Sequence, residues 1–152
     1  MSVFWHGLTE WEITMNGHPL EDLFPGADSV MYEDHTLGEV EFTPGGNMTA
    51  TDTLMSGTNI TIKTAAGGQT DKRFGFYAEQ QKTGIWQGGT RILHRYRAVN
   101  RTSGETIEAN DGIILTSPAG PSHGSSPPGS MDYVFAFPHL KRDTQYEGDL
   151  NG

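Results

Sequence analysis

The chain has 152 residues, about the length of one domain, and a formal net charge of −9. It contains 20 glycines, 8 prolines and no cysteine, which excludes disulfide bridges, a thiolate nucleophile and cysteine-ligated zinc. No apolar run reaches the ~18–20 residues of a membrane span, the first ten residues lack the pattern of a signal peptide, and the acidic balance argues against a nucleic-acid-binding surface.

The first third of the chain is predicted to form short strands. In Glu10–Met15 apolar and polar residues alternate, and the Asn16-Gly17 pair that follows is the strongest short signal for a hairpin turn. The return strand and two further strands are predicted at His18–Asp22, Ser29–Glu33 and Glu39–Thr43.

The middle of the chain is predicted to contain a long loop, a strand and one helix. The loop is Thr43–Met55, and the strand is Thr58–Thr64, with Ile60 and Ile62 on its buried face. The helix is Thr70–Thr83, with Thr70 as its N-cap and Gly84 as its end. Its mostly apolar face is predicted to be Phe74, Tyr77, Ala78 and Gln81.

The second half is predicted to return to strands. They are Arg91–Val99, Glu105–Ala109, Asp111–Thr116 and a central strand at Tyr133–Phe137, which is apolar on both faces. In Arg91–Val99, Ile92, Tyr96 and Ala98 lie on one side, and Arg95 and Arg97 lie on the other. In Ser117–Ser130, twelve of fourteen residues are Ser, Pro or Gly, so this segment is predicted to be an exposed, flexible loop. Eight or nine strands and one helix predict a mainly β fold, a β-sandwich or barrel with one flanking α-helix and long loops.

We expect one domain over residues 1–152, with polar arms at 1–9 and 141–152 and the flexible loop at 117–130. Charge is unevenly distributed, because residues 1–62 hold ten acidic residues and no Lys or Arg, whereas all ten basic residues lie in 63–152. Either the two halves neutralise each other within one folded chain, or they form complementary faces that meet between subunits.

No catalytic, cofactor-binding or metal-binding site is predicted, and the chain is not expected to be an enzyme. The six histidines (His6, His18, His35, His94, His123 and His139) form no metal-ligand spacing such as HxH or HExxH. The densest acid–histidine cluster, Glu33-Asp34-His35, is predicted to be a solvated loop, and Ser122-His123 lies in the Ser/Pro/Gly loop. The glycine pairs are not followed by a phosphate-loop pattern.

From about Trp11 to Phe137, the order of features resembles the bacteriophage tail tube proteins of the contractile type, the tube-forming proteins of phage-derived injection systems. The resemblance comprises the opening strand with its Asn16-Gly17 turn, the Ser56–Ile62 stretch of the form SGTxTI and the helix at Thr70–Gln81. It continues with the polar turn at Thr102–Glu105 and the closing aromatic strand.

This resemblance implies a structural virion protein, made in the host cytoplasm and resident in the tail, with no cofactor and no membrane insertion of the subunit. Such subunits form hexameric rings that stack into a tube, through which phage DNA passes during ejection. The implied partners are further copies of the chain and the sheath, baseplate and tail-terminator proteins. An acidic bore, to which the acidic half could contribute, would repel DNA phosphates and let the DNA slide.

Two sets of residues are candidates for assembly contacts. The inter-ring loop is predicted at Gly45, Gly46, Asn47, Met48 and Thr49, and inter-subunit charge contacts at Arg91, Arg95, Arg97 and Arg101. Two other functions remain open on the sequence alone: a capsid decoration or other virion protein, and a small β-sandwich that binds carbohydrate or peptide.

Overall fold

The computed structural model describes residues 10–26, 28–52, 57–84, 89 and 91–147. Within these ranges the chain forms ten strands and one helix. In chain order they are β1 (Trp11–Met15), β2 (His18–Pro19), β3 (Val30–Tyr32), β4 (Gly38–Phe42), β5 (Met48–Asp52), β6 (Thr58–Thr64), α1 (Gln69–Thr83), β7 (His94–Asn100), β8 (Thr106–Thr116), β9 (Met131–Phe137) and β10 (His139–Asp143).

The strands outside β4 and β5 form two antiparallel layers that share β8, which gives the predicted mainly β sandwich with one helix. The first layer, sheet I, has the order β2-β1-β7-β8-β10, and the second layer, sheet II, has the order β8-β9-β6-β3. Residues 106–112 of β8 pair with β7, and residues 113–116 pair with β9. The strand predicted to be central, β9, lies between β8 and β6.

The two strands predicted at Glu105–Ala109 and Asp111–Thr116 are one strand, which bends as it crosses between the layers. Asp111, with φ 61°, lies at the bend, and the residue after it is Gly112. A Cβ atom on Gly112 would lie 2.3 Å from a ring carbon of Phe137, so only glycine fits at this crossing. The Asn-Asp-Gly sequence here is typical of a turn, which is why the pattern predicted two strands.

The helix begins one residue before the predicted position and is not capped by Thr70. The N-cap is Gly68. Thr70 lies inside the helix and is fully buried, and its hydroxyl accepts a hydrogen bond from the Glu21 amide (2.9 Å) and donates one to the Glu21 carbonyl (2.5 Å). The predicted N-cap was therefore wrong, because this hydroxyl bonds a distant loop instead of the helix's own amides. The helix ends as predicted at Gly84, with φ 71°.

Two side chains attach α1 to sheet II. The side-chain amide of Gln81 accepts a hydrogen bond from the backbone amide of Ile114 (3.0 Å) and donates one to the Ile114 carbonyl (2.6 Å). It thus forms the two hydrogen bonds that the backbone of a neighbouring strand would form. The Tyr133 hydroxyl donates to the Asp71 carboxylate at 2.7 Å, and burial together with this carboxylate raises the pKa of Tyr133. The buried helix residues are Thr70, Phe74, Tyr77 and Gln80. Phe74 and Tyr77 are thus buried as predicted, whereas Ala78 and Gln81 are only half-buried.

The core lies between the two layers and under α1. Phe74 packs edge-on against Tyr133 and Phe135, with ring centroids 5.3 and 4.9 Å apart. Alternate residues of β6 and β7 complete it, as the periodicity of these strands predicted: Ile60, Ile62, His94, Tyr96 and Ala98.

Three segments differ from the sequence expectations. The return strand β2 comprises only His18–Pro19 of the predicted His18–Asp22, although the Leu20 amide still donates to the Ile13 carbonyl at 3.0 Å. Strand β5 lies within the predicted loop Thr43–Met55, and β10 includes residues 141–143 of the predicted polar arm. Nine of their ten residues are exposed, and each strand has one large apolar residue, Met48 or Leu140, so neither sequence shows the pattern of a half-buried strand.

Candidate assembly interface

The hairpin formed by β4 and β5 stands apart from both layers. It is a separate two-stranded sheet, and every one of its ten strand residues is exposed. An isolated two-stranded hairpin is at best marginally stable in water. A hairpin with no packed face is therefore a candidate for contact with another molecule.

The register of the hairpin separates its side chains into two different faces. Val40 pairs with Ala50, and Phe42 pairs with Met48, so these four residues share one face. The pairs Glu39–Thr51 and Glu41–Thr49 form the opposite face. One side is therefore mainly apolar, with Asp52 at its end opposite Gly38, and the other side is polar and acidic. Phe42 is 77% exposed and Met48 is 59% exposed.

The tip of this hairpin holds the predicted inter-ring loop. The Thr43 amide donates to the Asn47 carbonyl at 2.8 Å, and the Gly46 amide donates to the Thr43 carbonyl at 3.0 Å. Gly45, Gly46 and Asn47 form the turn, while Met48 and Thr49 are the first residues of β5. The sequence therefore predicted strand β4, as Glu39–Thr43, and the turn after it, but missed strand β5.

A second exposed apolar surface is the outer face of sheet II, the side turned away from the core. Ile113 and Leu115 flank the buried Ile114 of β8, and they are 43% and 57% exposed. Ile113 pairs with Ala136 of β9. Met31 of β3 is 40% exposed, and in the register its row continues through Thr61 to Val134.

A groove of about 530 Å³ opens at one end of this outer face. Its apolar lining includes Ile113, Ala136 and Pro138, and its polar lining includes Asn59 and Asp111. The groove is thus mixed in character, since Glu33 and Thr58 also line it.

The outer face of sheet I is polar and carries two of the predicted arginines. Arg95 and Arg97 point away from the core, as the alternation in β7 predicted. The Arg97 guanidinium pairs with the Glu108 carboxylate at 3.1 Å on neighbouring β8. Arg91 and Arg101 are also exposed, so all four arginines are at the surface.

His94 is the one histidine of the described chain that is fully buried. The Arg95 amide donates to Asn16 Oδ1 at 2.9 Å, which turns the Asn16 amide nitrogen toward His94 Nδ1, 3.0 Å away. Nδ1 is therefore the acceptor, and the proton is on Nε2, which lies among Tyr77 and Phe135 with no hydrogen-bond partner in the described residues. Burial lowers the pKa of His94 to about 4.

The other histidines that the structure describes lie at the surface. His18, His35, His123 and His139 are exposed, and His6 lies outside the described residues. Glu33, Asp34 and His35 are exposed, as predicted, and line an open groove beside Trp11 and Arg142. Among the described residues there is no group of three or more His, Asp or Glu that could hold a metal ion. The described part of the chain also has no helix of sufficient length and apolar character to cross a membrane.

The two layers are connected beside that groove by a tyrosine pair. The hydroxyls of Tyr32 in sheet II and Tyr96 in sheet I are 2.5 Å apart, and their rings meet edge-on at 5.9 Å. Burial raises the pKa of both phenols, so both stay neutral. The pair is a structural contact between the layers.

Comparison with known proteins gives matches to solved structures only. No family model and no curated protein matches the sequence. A structure of the PVC extracellular contractile injection system, described as the sheath/tube terminator in the extended state, contains a chain that matches with a TM-score of 0.63 and 10% identity. The match covers 94% of this chain and 99% of that one. The protein has the fold of contractile injection system components.

Two more structures support the same conclusion. The PVC sheath-tube complex in the extended state matches with a TM-score of 0.61 and 11% identity, over 91% of this chain and 90% of that one. The tube terminating cap of the anti-feeding prophage matches with a TM-score of 0.54 and 10% identity, over 95% of both chains. The predicted resemblance to phage-tail-like tube-related proteins is thus confirmed at the level of the fold.

The exposed apolar residues of these two surfaces were not singled out by sequence reasoning. The sequence did contain a signal for the hairpin face, since Val40 and Phe42 alternate with Glu39 and Glu41 as in a strand with one apolar side. The outer face of sheet II gave no such signal. Ile113-Ile114-Leu115 is a continuous apolar run, and such a run does not reveal which of its residues face outward.

Proposed function

We propose that this protein is a non-enzymatic structural subunit of a phage-tail-like tube. In this proposal copies of the chain form hexameric rings, the rings stack around a channel, and phage DNA passes through that channel in transit. Sheath, baseplate and tail-terminator proteins are its further partners, and the assembled tail is its location after synthesis in the host cytoplasm.

The observation that carries this proposal is the fold, which is shared over nine-tenths of the chain with components of contractile injection systems. Two exposed apolar surfaces support it, because monomeric soluble proteins rarely expose contiguous apolar patches without using them for contact. The hairpin tip Gly45–Thr49 is the proposed contact between rings. The exposed Arg91, Arg95 and Arg101, together with the Arg97–Glu108 pair, are the proposed charge contacts between subunits.

A role at the end of the tube is the second candidate. Two of the matching structures are described as a tube terminator and a terminating cap. A terminating subunit would form one ring and stop, whereas a tube subunit would continue to stack. The fold is compatible with both roles, so the extent of stacking distinguishes them.

The direct test is negative-stain electron microscopy of the purified protein over a concentration series. Tubes or stacked rings with sixfold symmetry are the expected result. Single rings that never stack would favour the terminating role. A protein that stays monomeric at all concentrations, even when purified baseplate is added to nucleate assembly, would contradict both. Trimers or compact non-stacking particles would point to a decoration protein instead.

A further inference from the structure

The turn between β1 and β2 is attached to strand β7 by three hydrogen bonds of one residue, Asn16. Its backbone amide donates to the Arg95 carbonyl at 2.8 Å. Its side-chain Oδ1 accepts from the Arg95 amide at 2.9 Å, and its side-chain Nδ2 donates to His94 Nδ1 at 3.0 Å. Strand β2 has only two residues, both exposed, so little burial holds the turn in place beside these contacts.

These contacts fix the direction of the Asn16 side-chain amide. A backbone amide is always a donor, so the Arg95 amide requires Oδ1 on its side and leaves Nδ2 to face the His94 ring. Nδ2 can only donate, and it therefore needs a lone pair on Nδ1. The neutral imidazole with its proton on Nε2 provides this lone pair, whereas the imidazolium does not. Asn16 thus accommodates one protonation state of His94 and excludes the other.

Protonation of His94 at Nδ1 places two N–H donors opposite each other. Turning the Asn16 side-chain amide over does not remove this conflict, because Nδ2 would then face the Arg95 amide, which is also a donor. With either orientation one side-chain contact of Asn16 is lost. The same residue holds the Arg95 carbonyl through its backbone amide, so its displacement weakens every hydrogen bond that attaches the turn.

Among the described residues no carboxylate, lysine or arginine faces the His94 ring, so Asn16 is the group that responds to its proton. The ring is fully buried, and burial is the cause that lowers its pKa to about 4. Arg95, the next residue of β7, points to the opposite face of sheet I. The neighbours on the buried side are two phenols, a phenyl ring and a glycine: Tyr77 of α1, Tyr96 of β7, Phe135 of β9 and Gly112 of β8.

We propose that the contact between Asn16 and His94 is an acid-sensitive attachment of the β1–β2 turn, which is closed while His94 is neutral and opens when Nδ1 binds a proton. The opening is local, because the turn lies at the edge of sheet I, whereas β6 and β9 lie inside sheet II. A proton bound in the core thereby changes the edge of a sheet. This inference concerns the single chain and does not depend on the proposed assembly.

The first test replaces the donor beside His94 by an acceptor. In Asn16→Asp one carboxylate oxygen can accept from the Arg95 amide and the other from the imidazolium. A neutral imidazole with its proton on Nδ1 also satisfies this carboxylate, so the variant is expected to fold. We expect the pKa of His94 to rise by about 1–3 units, the usual effect of an adjacent opposite charge. It is measured by NMR from the imidazole carbon shifts as the pH is lowered from about 8 to about 4.

Asn47→Asp is the matched control, because it is the same substitution at the exposed turn between β4 and β5 and should leave the pKa of His94 unchanged.

The second test uses the parent protein and so does not depend on the folding of a variant. Hydrogen exchange is measured at the Asn16 and Arg95 backbone amides, whose hydrogen bonds attach the turn. Their protection factors should fall as the pH approaches that of His94 protonation, while the amides of β6 and β9 remain protected. Because opening binds one proton, the open population should grow about tenfold for each unit of pH. In His94→Phe the protection of the two turn amides should not depend on pH.

Two results would overturn the inference. One is an unchanged pKa of His94 in folded Asn16→Asp, since the carboxylate would then not contact the ring. The other is a loss of protection at Asn16 and Arg95 in step with β6 and β9, because that pattern reports unfolding of the whole chain rather than release of the turn. If Asn16→Asp does not fold, the exchange data of the parent protein decide alone.

Discussion

His94 is a neutral imidazole inside the core, and this makes the stability of the protein sensitive to acid. Burial lowers its pKa from 6.5 to about 4. Between pH 6.5 and about pH 4, His94 is protonated in the unfolded chain but remains neutral in the folded chain. The unfolded state therefore binds more protons in this range. Stability is therefore unaffected above pH 6.5 and falls as the pH decreases from 6.5 to 4, by about 3 kcal/mol in all.

We expect His94→Phe to flatten this part of the pH profile. Phenylalanine can pack against Tyr77 and Phe135 but cannot be protonated, so any cost of the lost Asn16 contact is the same at every pH. The measurement is the free energy of unfolding in urea at several values between pH 4 and 7. His18→Gln, at an exposed histidine, is the control and should keep the slope of the parent protein. Equal slopes for parent and His94→Phe would contradict the assignment.

Gly112 is a second residue that can be tested singly, because its position at the bend of β8 leaves no room for a side chain. A methyl group there would lie within 2.3 Å of the Phe137 ring, which is itself buried in the core. Gly112→Ala must therefore displace Phe137 or the crossing of β8, and we expect a loss of about 1–3 kcal/mol in the free energy of unfolding. Gly120→Ala is the control, because no atom lies within 4 Å of its added methyl group. Similar denaturation midpoints for both variants would show that the crossing tolerates a side chain.

Individual residues also show which parts of the fold could be predicted from the sequence. Strand β6 was predicted at its true bounds, because Ile60 and Ile62 alternate with Thr61 and Lys63 and one face is buried. Strand β10 was missed because its sequence, HLKRD, has a single apolar residue, and its pairing with β8 uses only backbone groups. Thr70 was assigned as a cap because its partner Glu21, 49 positions away, cannot be inferred from local sequence.

At the scale of elements, the hairpin can be altered without touching the core. All residues of β4 and β5 are exposed, and the buried core residues belong to other elements. Deletion of Gly45–Thr49 removes the tip and the Met48 partner of Phe42. We expect a folded subunit with an unchanged melting temperature that no longer stacks into tubes.

Circular dichroism and thermal melting will report on the fold of this deletion, and electron microscopy will report on stacking. The matched control removes Ser122–Ser126, five residues of the other long exposed segment, and it should still assemble. Normal tubes from the Gly45–Thr49 deletion would refute an inter-ring role for the tip. Loss of tubes from both deletions would mean that stacking responds to any shortened loop.

One part of the candidate interface, the hairpin tip, could be predicted from the sequence, and the other part, the outer face of sheet II, could not. The tip was located from its Pro44-Gly45-Gly46-Asn47 sequence, because such residues mark a turn. The outer face of sheet II depends on which residues of β3, β8 and β9 become neighbours in the sheet. Met31 and Ala136 are far apart in the chain, and only the register of three strands brings them to one face.

At the scale of the whole molecule, the uneven charge distribution offered two interpretations. Among the residues that the structure describes, the ion pairs Lys82–Glu79, Arg97–Glu108 and Arg142–Glu105 join residues within 63–152. Pairing inside the chain leaves its net charge at −9 in either interpretation. Copies of the chain therefore repel one another, and apolar contact must overcome that repulsion for assembly to occur.

Salt concentration distinguishes apolar from charged contacts between copies. Raising the ionic strength from about 0.01 M to about 1 M shortens the screening length from ~30 Å to ~3 Å. If apolar surfaces hold the copies together, screening removes the repulsion and assembly should begin at a lower protein concentration. If an acidic face of one copy binds a basic face of the next, screening should dissolve the assembly instead. We expect the first result, measured by sedimentation velocity across the series. Thermal melting of dilute protein at the same salt concentrations controls for changes in the fold, and disassembly at high salt with an intact fold would assign the contact to the charged faces.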